Sequence, residues 1–360
     1  MLKLSIKPQW LLLNANASAH PLARLIELLH AINEERSINA AALRLGVSYR
    51  HAWGLIQRAH REFGIDLVHT ARGKRASLSS AGEKLIAADR RIKARISPLL
   101  DSLASELEAE IERSRSGGAG VLRIDGSHGY AIELLRTFLA RRNVPIELRY
   151  RGSMEALASL ASGSCDIAGF HAPTGELQGD ALKFYARWLD PSRQVFIRLA
   201  TRRQGIMVAA GNPKGIQSLE DLGGSGVRFV NRQFGSGTRI LLDLLLKREG
   251  IESGRIAGYH TGEFTHSAVA ACVASGLADA SFGVETGARE FGLDFIPVAS
   301  ERYFLACNES SLALPTVQRI RDILASKSYR AEAGRLAGID VTDAGGVLQL
   351  GEAFPQFAFA

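Results

Sequence analysis

At 360 residues, 46% of them apolar, the chain exceeds one ordinary domain and holds enough core material for two or three. Its three cysteines, Cys165, Cys272 and Cys307, are far apart and lack CxxC or Cys/His spacing, which argues against a disulfide framework or a zinc site and points to a reduced, cytoplasmic setting. The net charge of +7 is uneven: residues 1–97 carry 16 Lys+Arg against 7 Asp+Glu, residues 98–360 carry 28 against 30, so a basic polyanion binder is joined to a near-neutral remainder.

The opening stretch, MLKLSIKPQWLLLNANASA, has a lysine, a short apolar run and an AxA-like end, but Lys7, Pro8 and Gln9 interrupt it too early for a signal peptide. No run approaches the roughly 18 apolar residues of a membrane span, and no membrane partner is expected. From Pro21, Leu22, Leu25, Ile26, Leu28, Leu29 and Ile32 recur at helical spacing. Two more helices follow in SINAAALRLGVSYRHAWGLIQRAHREFG: Ser37 caps the first, Gly46 ends it, and Ser48 caps a second that runs to about Phe63. A short helix, a tight glycine turn and a capped helix make a helix-turn-helix.

A recognition helix meets the major groove with its N-terminal residues, here Ser48, Tyr49, Arg50 and His51, all able to hydrogen-bond phosphate or base edges. Trp53, Leu55, Ile56 and Ala59 supply the face that packs inward. Next, IDLVHTARGKRASLSS alternates apolar and polar residues around a basic tip, a small wing whose Arg72, Lys74 and Arg75 are placed for phosphate or minor-groove contacts. A long helix starts at Ser80, with Leu85, Ile92, Ile96, Leu99, Leu103, Leu107 and Ile111 forming a stripe close to a coiled-coil seam, a face for a homodimer or tetramer. Pro98 is expected to kink or restart it, with Ser97 as a new cap. SRSGGAG, residues 114–120, marks a flexible boundary.

Beyond Gly120, short apolar strands alternate with amphipathic helices, the pattern of an α/β domain with parallel pairing. LASGSCDIAGF (160–170) and VASGLADASFG (273–283) superpose with Ser-Gly and Asp in register, which suggests two similar lobes. The tract RQVFIRLATRRQGIMVAAGN is long enough to cross from one lobe to the other, and ERYFLACN to cross back. In each lobe two strand-to-helix turns carry small residues and hydroxyls: DGSHGYAIELL and YRGSMEALASL, then FGSGTRILLDL and GEFTHSAVAAC. Each offers free backbone N–H groups at a helix start, the arrangement that cradles an anion. Singly, Ser127, Ser153, Ser236 and Thr265 read as N-caps; four together, two per lobe, read as a ligand cleft at the carboxyl ends of strands.

His128 and His266 stand beside these hydroxyls in corresponding positions, and Arg239 falls in the first turn of its helix, so all three are candidate donors to an oxyanion. Asn231 and Arg232 are further candidates. Asp166 and Asp279 are expected to tie down their turns rather than bind metal, since carboxylates repel an anion. Cys165 has no base placed by the sequence, there is no GxSxG elbow, and FGSGTR lacks the lysine and spacing of a P-loop. No catalytic residue, metal or cofactor is therefore assigned, and a cleft enzyme or a pure anion-binding protein without DNA affinity remain the rival readings.

SINAAALRLGVSYRHAWGLI followed by ARGKRASLSSAGEKLI resembles the winged-helix domain of molybdate-responsive (ModE-type) transcription regulators, itself similar to the LysR-type reader. The segment from NRQFGSGTRILLDLLL through THSAVAACVASGLADASFG to FLACN resembles the periplasmic-binding-protein-like domain of one-component regulators and is similar to molybdate-binding receptors. One departure is that ModE-type regulators bind molybdate through small C-terminal β domains, which this sequence lacks. The resemblance implies a winged helix-turn-helix over residues 1–79, a linker and dimerisation helix over 80–116, and a two-lobed α/β type 2 binding-protein fold over 117–360, with lobe I about 121–200 and 305–360 and lobe II about 205–300. It further implies a homodimer or dimer of dimers, ligand contacts at Ser127, His128, Ser153, Ser236, Thr238 and Thr265, and DNA contacts at Ser48 to His51. The expected protein is a transcription regulator whose effector is molybdate or tungstate, or a small carboxylate such as formate.

Overall fold

A computed structural model describes residues 3–13, 19–70, 75–116 and 120–355. It divides into one unit of Lys7–Lys93 and another of Ala94–Ala360 together with Met1–Ile6. The division falls inside the long helix Ser80–Ser116. The reason is packing: Ile86 and Leu85 of that helix belong to the first core, whereas Ser102, Ala104, Ser105 and Ala109 are buried in the second unit.

In the first unit, β1 (Leu11–Leu13) pairs antiparallel with β2 (Ala19–Pro21), a hairpin that the sequence did not announce. The helices are α1 (Ala23–Glu35), α2 (Ile38–Arg44) and α3 (Tyr49–Phe63). Ser37 Oγ accepts from Ala40 N at 3.3 Å and Ser48 Oγ from His51 N at 3.1 Å, so both expected caps form. Gly46 takes φ +66°, a left-handed turn that a side chain would strain. The apolar stripe of α1 and Ala52, Ile56 and Ala59 of α3 close the core. Strand β3 (Val68–His69) pairs antiparallel with β4 (Ser77–Leu78). Helix α4 (Ser80–Ser116) is continuous. Pro98 does not restart it, and Ser97 is an interior residue rather than a cap.

The second unit runs β5 (Leu122–Gly126), α5 (Tyr130–Arg141), β6 (Ile146–Tyr150), α6 (Ser153–Ala161), β7 (Ile167–Pro173), α7 (Gln178–Lys183) and β8 (Gln194–Val208). There follow β9 (Phe229–Arg232), α8 (Gly237–Arg248), β10 (Gly262–Glu263), α9 (His266–Ala274), β11 (Ala280–Val284), α10 (Glu285–Glu290) and β12 (Asp294–Asn308). The chain closes with α11 (Pro315–Ala325), α12 (Lys327–Ala333), β13 (Ile339–Asp340), β14 (Val347–Gln349) and α13 (Leu350–Ala353). The sheet order is β10-β9-β11-β8-β12-β7-β5-β6, with β13 and β14 also on β8.

Within each lobe the pairing is parallel: β5 with β6 and β7, β9 with β10 and β11. The two crossing strands, β8 and β12, run antiparallel side by side along almost their whole length, with irregularities between Pro297 and Ala299 and between Tyr303 and Phe304. Asp166 accepts from the backbone N and guanidinium of Arg123, and Asp279 from those of Arg228, so the repeated Asp ties down the same turn in each lobe.

Candidate functional site

On the reader, Tyr49, Arg50 and His51 are exposed at the start of α3, and Tyr49 stacks on Trp53 with ring centroids 6.4 Å apart. Ser48 is exposed, and its oxygen already accepts from His51 N, leaving its proton to donate outward. Arg75 is exposed beside β4; Arg72 and Lys74 lie outside the described residues.

In the two-lobed unit the four hydroxyl-bearing turns come together. Ser127 Oγ and Ser153 Oγ are 3.4 Å apart. A methyl group on Gly152 would stand 3.2 Å from the Gly235 carbonyl, and one on Gly237 only 2.7 Å from His171 Cβ and 3.3 Å from Ser153 Oγ, so the start of α8 abuts lobe I. Tyr130 of lobe I bonds Ser267 of lobe II at 3.1 Å and also donates to Glu290. Tyr303 supports the first turn from below, donating to Ser127 O at 2.9 Å while its ring lies 3.9 Å from that of His171.

Not every expected donor faces this meeting point. Ser236 Oγ accepts from Arg239 N and donates to Gln233 O, and Thr265 Oγ1 accepts from Ala268 N and donates to Ala94 O. Both hydroxyl protons are engaged inside the fold, so these residues cap helices and hold turns. Arg239 points away, bonded to Asp243 and Tyr259 O and lying 4.0 Å over the Tyr259 ring. His128, just before α5, is paired with Glu133 of that helix and packs edge-on against Tyr150. Asn231 bonds Tyr259 O and the Arg232 backbone.

Arg232, by contrast, is central. Its Nε and Nη2 donate to the carbonyls of Glu263 and Phe264, while Nη1 is buried without a partner. Around it gather groups from the crossing strands and lobe I sheet that the sequence reading missed: His171, Arg202, Gln204 and Glu301. Arg202 pairs with Glu301, and Gln204 donates both to Glu301 and, at 2.8 Å, to Thr238 Oγ1, which leaves the Thr238 proton free to point elsewhere. Ser281 Oγ, His266 Nδ1 and both ring nitrogens of His171 are buried without partners.

Two buried guanidinium groups thus face one buried carboxylate. Burial, then the charge of Arg202, pulls the Arg232 pKa down to about 9, so it still carries its charge at neutral pH. Burial, then the two guanidiniums, holds His171 and His266 well below the usual imidazole range, which keeps both neutral. The result is a buried cluster of donors with surplus positive charge, suited to an anion. Cys165, pushed up to about 12 mainly by burial, is an inert thiol.

Residues 136–325 match the PBP superfamily domain. The chain belongs to that superfamily. Residues 23–83 match the bacterial regulatory helix-turn-helix protein of the lysR family, so this is a LysR-type DNA-binding transcriptional regulator with a PBP-like effector domain. The chain is similar to the uncharacterized protein YvgK of Bacillus subtilis, 31% identical over 250 residues that cover 68% of this chain and 79% of that protein. It is also 39% identical over 101 residues to the molybdenum-pterin-binding protein MopB of Rhodobacter capsulatus, covering 26% of this chain and 37% of MopB. Among solved structures, the Corynebacterium glutamicum OxyR C206 mutant aligns over 87% of this chain and 94% of its own at 18% identity and a TM-score of 0.41. No helix among the described residues is long and apolar enough to cross a membrane.

Proposed function

We propose that the regulator senses a small anion bound between its lobes, without turning it over, and that molybdate or tungstate is the preferred effector. The observation that carries this reading is Arg232 Nη1: a charged donor, buried and unpartnered, beside His171, His266 and the Arg202–Glu301 pair. A buried cation with a missing partner costs several kcal/mol, and an anion that supplies the partner recovers that cost only in the closed form. That difference in affinity between closed and open lobes is what lets a ligand shift a conformational equilibrium.

A tetrahedral dianion presents acceptor oxygens in four directions and fits donors arriving from both lobes. The similarity to MopB and the ModE-like sequence of the reader support molybdate, while formate, with one charge and two oxygens, is the second reading. Helix α4 supports pairing with a second copy: Leu99, Leu103 and Leu107 form an exposed row at four-residue spacing. The predicted homodimer, or dimer of dimers, would place two readers on two half-sites.

Calorimetric titration with molybdate, tungstate, sulfate and formate tests the effector. Saturable heat with the first two, abolished by Arg232→Gln, is expected. Absence of heat with all four overturns the effector assignment.

A further inference from the structure

Pro98 has no N–H, so the carbonyl of Ala94, four residues earlier, loses its partner in the helix ladder. That carbonyl is not left bare. Thr265, at the start of α9 in lobe II, donates its hydroxyl to Ala94 O at 3.0 Å. The next helix residue, Arg95, clasps both carboxylate oxygens of Glu263 through its Nε at 2.9 Å, with a further bond from Nη2. Lobe II therefore grips α4 at residues 94 and 95, just before the proline.

Lobe I grips the same helix just after it. Ser102 Oγ accepts from Tyr150 N at 2.9 Å, Ser105 Oγ accepts from Leu148 N at 2.8 Å, and Arg113 pairs with Glu147 at 2.8 Å, so α4 closes the free edge of β6. Asp101 pairs with Arg136 of α5. Pro98, where the ladder lacks one bond, lies between the two grips, and proline positions are where helices bend.

The lobe II grip is also wired to the candidate site. Glu263 lies opposite Arg232 in the β9–β10 pairing, and two of the three Arg232 guanidinium nitrogens hold the carbonyls of Glu263 and Phe264. Thr265, the residue that reaches Ala94, caps the helix that begins with His266. A movement of Arg232 or His266 toward a ligand carries the Glu263–Thr265 segment with it.

We propose that α4 is a strut clamped by lobe I after Pro98 and by lobe II before it, so that the spacing of the lobes is read out as the bend of α4 at Pro98. The direction of the signal rests on the anion-sensor reading. The clamp itself does not.

Hydrogen exchange by mass spectrometry on the full chain, without ligand, tests the clamp. Thr265→Val should speed exchange in residues 91–102 about fivefold, the scale of one lost hydrogen bond, while Thr265→Ser restores the parent rate and residues 241–246 of α8 stay unchanged. Arg95→Met, which changes no residue of lobe II, should act in the same way, so a Thr265→Val variant with a disordered α9 does not decide the matter. Arg232→Met should also accelerate residues 91–102 by releasing the Glu263 and Phe264 carbonyls. Parent-like exchange of 91–102 in Arg95→Met overturns the clamp, and parent-like exchange in Arg232→Met overturns its link to the site. Molybdate heat in the parent is measured separately: its absence removes the effector and leaves the exchange results to judge the strut.

Discussion

Gly169 and Gly126 are partners across β7 and β5 beneath the Ser127 turn, and Tyr303 lies over the face of the sheet where a side chain on either would stand. Adding a methyl group at Gly169 places it 2.7 Å from Tyr303 Oη, 2.9 Å from Cε2 and 3.1 Å from Gly126 Cα. Tyr303 has little room to yield: it is 2% exposed and stacked on His171. Overpacking of this kind costs about 1–3 kcal/mol. Displacing the tyrosine hydroxyl also breaks its bond to Ser127 O, worth about 1 kcal/mol more. Gly169→Ala should therefore destabilise the two-lobed unit by about 2–4 kcal/mol, a fall in its melting temperature of several degrees. Because the shifted group is the support of Ser127, molybdate binding should weaken in the same variant. The decisive assay is a double-mutant cycle with Tyr303→Phe, followed by thermal and denaturant unfolding. Removing the oxygen removes the closest contact, so the added cost of Gly169→Ala should drop to about 1–2 kcal/mol in that background. Costs that add to within about 0.5 kcal/mol would refute the steric argument.

Asp89, buried in the reader, is bonded by His30, Trp10 and Lys93. Burial alone would raise its pKa, but the bonds from His30, Lys93 and Trp10 outweigh it and hold the carboxyl at about 2. Its folded pKa is below the unfolded value, so its contribution of about 2 kcal/mol is present above pH 4 and is lost as pH falls toward 2; denaturant melts of Asp89→Asn should lack that slope. Leu103→Glu with Leu107→Glu puts charge on the exposed α4 row and should yield monomers by light scattering; an unchanged mass would place the interface elsewhere. Arg50→Ala should weaken DNA binding and lower the salt slope by about one counterion, measured by titration at several salt concentrations; an unchanged slope would mean Arg50 does not touch phosphate.

The reader was legible because local rules decide it. Ser37, Gly46 and Ser48 do what cap and turn chemistry demands, whatever surrounds them. The lobe repeat was legible for a similar reason, since Asp166 and Asp279 each serve a turn within a short span of a helix and strand. The site itself was only half legible. Turns with hydroxyls announced Ser127, Ser153 and Thr238 as candidates, but cap residues and ligand contacts look alike in sequence, and Ser236 and Thr265 both cap helices. The charged heart of the site comes from strands far apart in the chain. Its one local signal was alternation: Arg202 and Gln204 interrupt an apolar crossing strand two residues apart, on one face, and His171 interrupts another. The Ala94–Thr265 bond had no local signal, because a proline announces a missing donor but not who replaces it.

The doubled connection between the lobes limits how they part. Strands β8 and β12 are zipped together where they cross, and Gly205 sits so close to Ile296 O that a methyl there would stand 2.1 Å away. Such a ribbon resists stretching, since every step of separation along it would break ladder bonds, but it yields to torsion, most easily at its two irregular steps. Opening is thus steered into rotation about a fixed seam, and a rotating lobe delivers torque to whatever it holds.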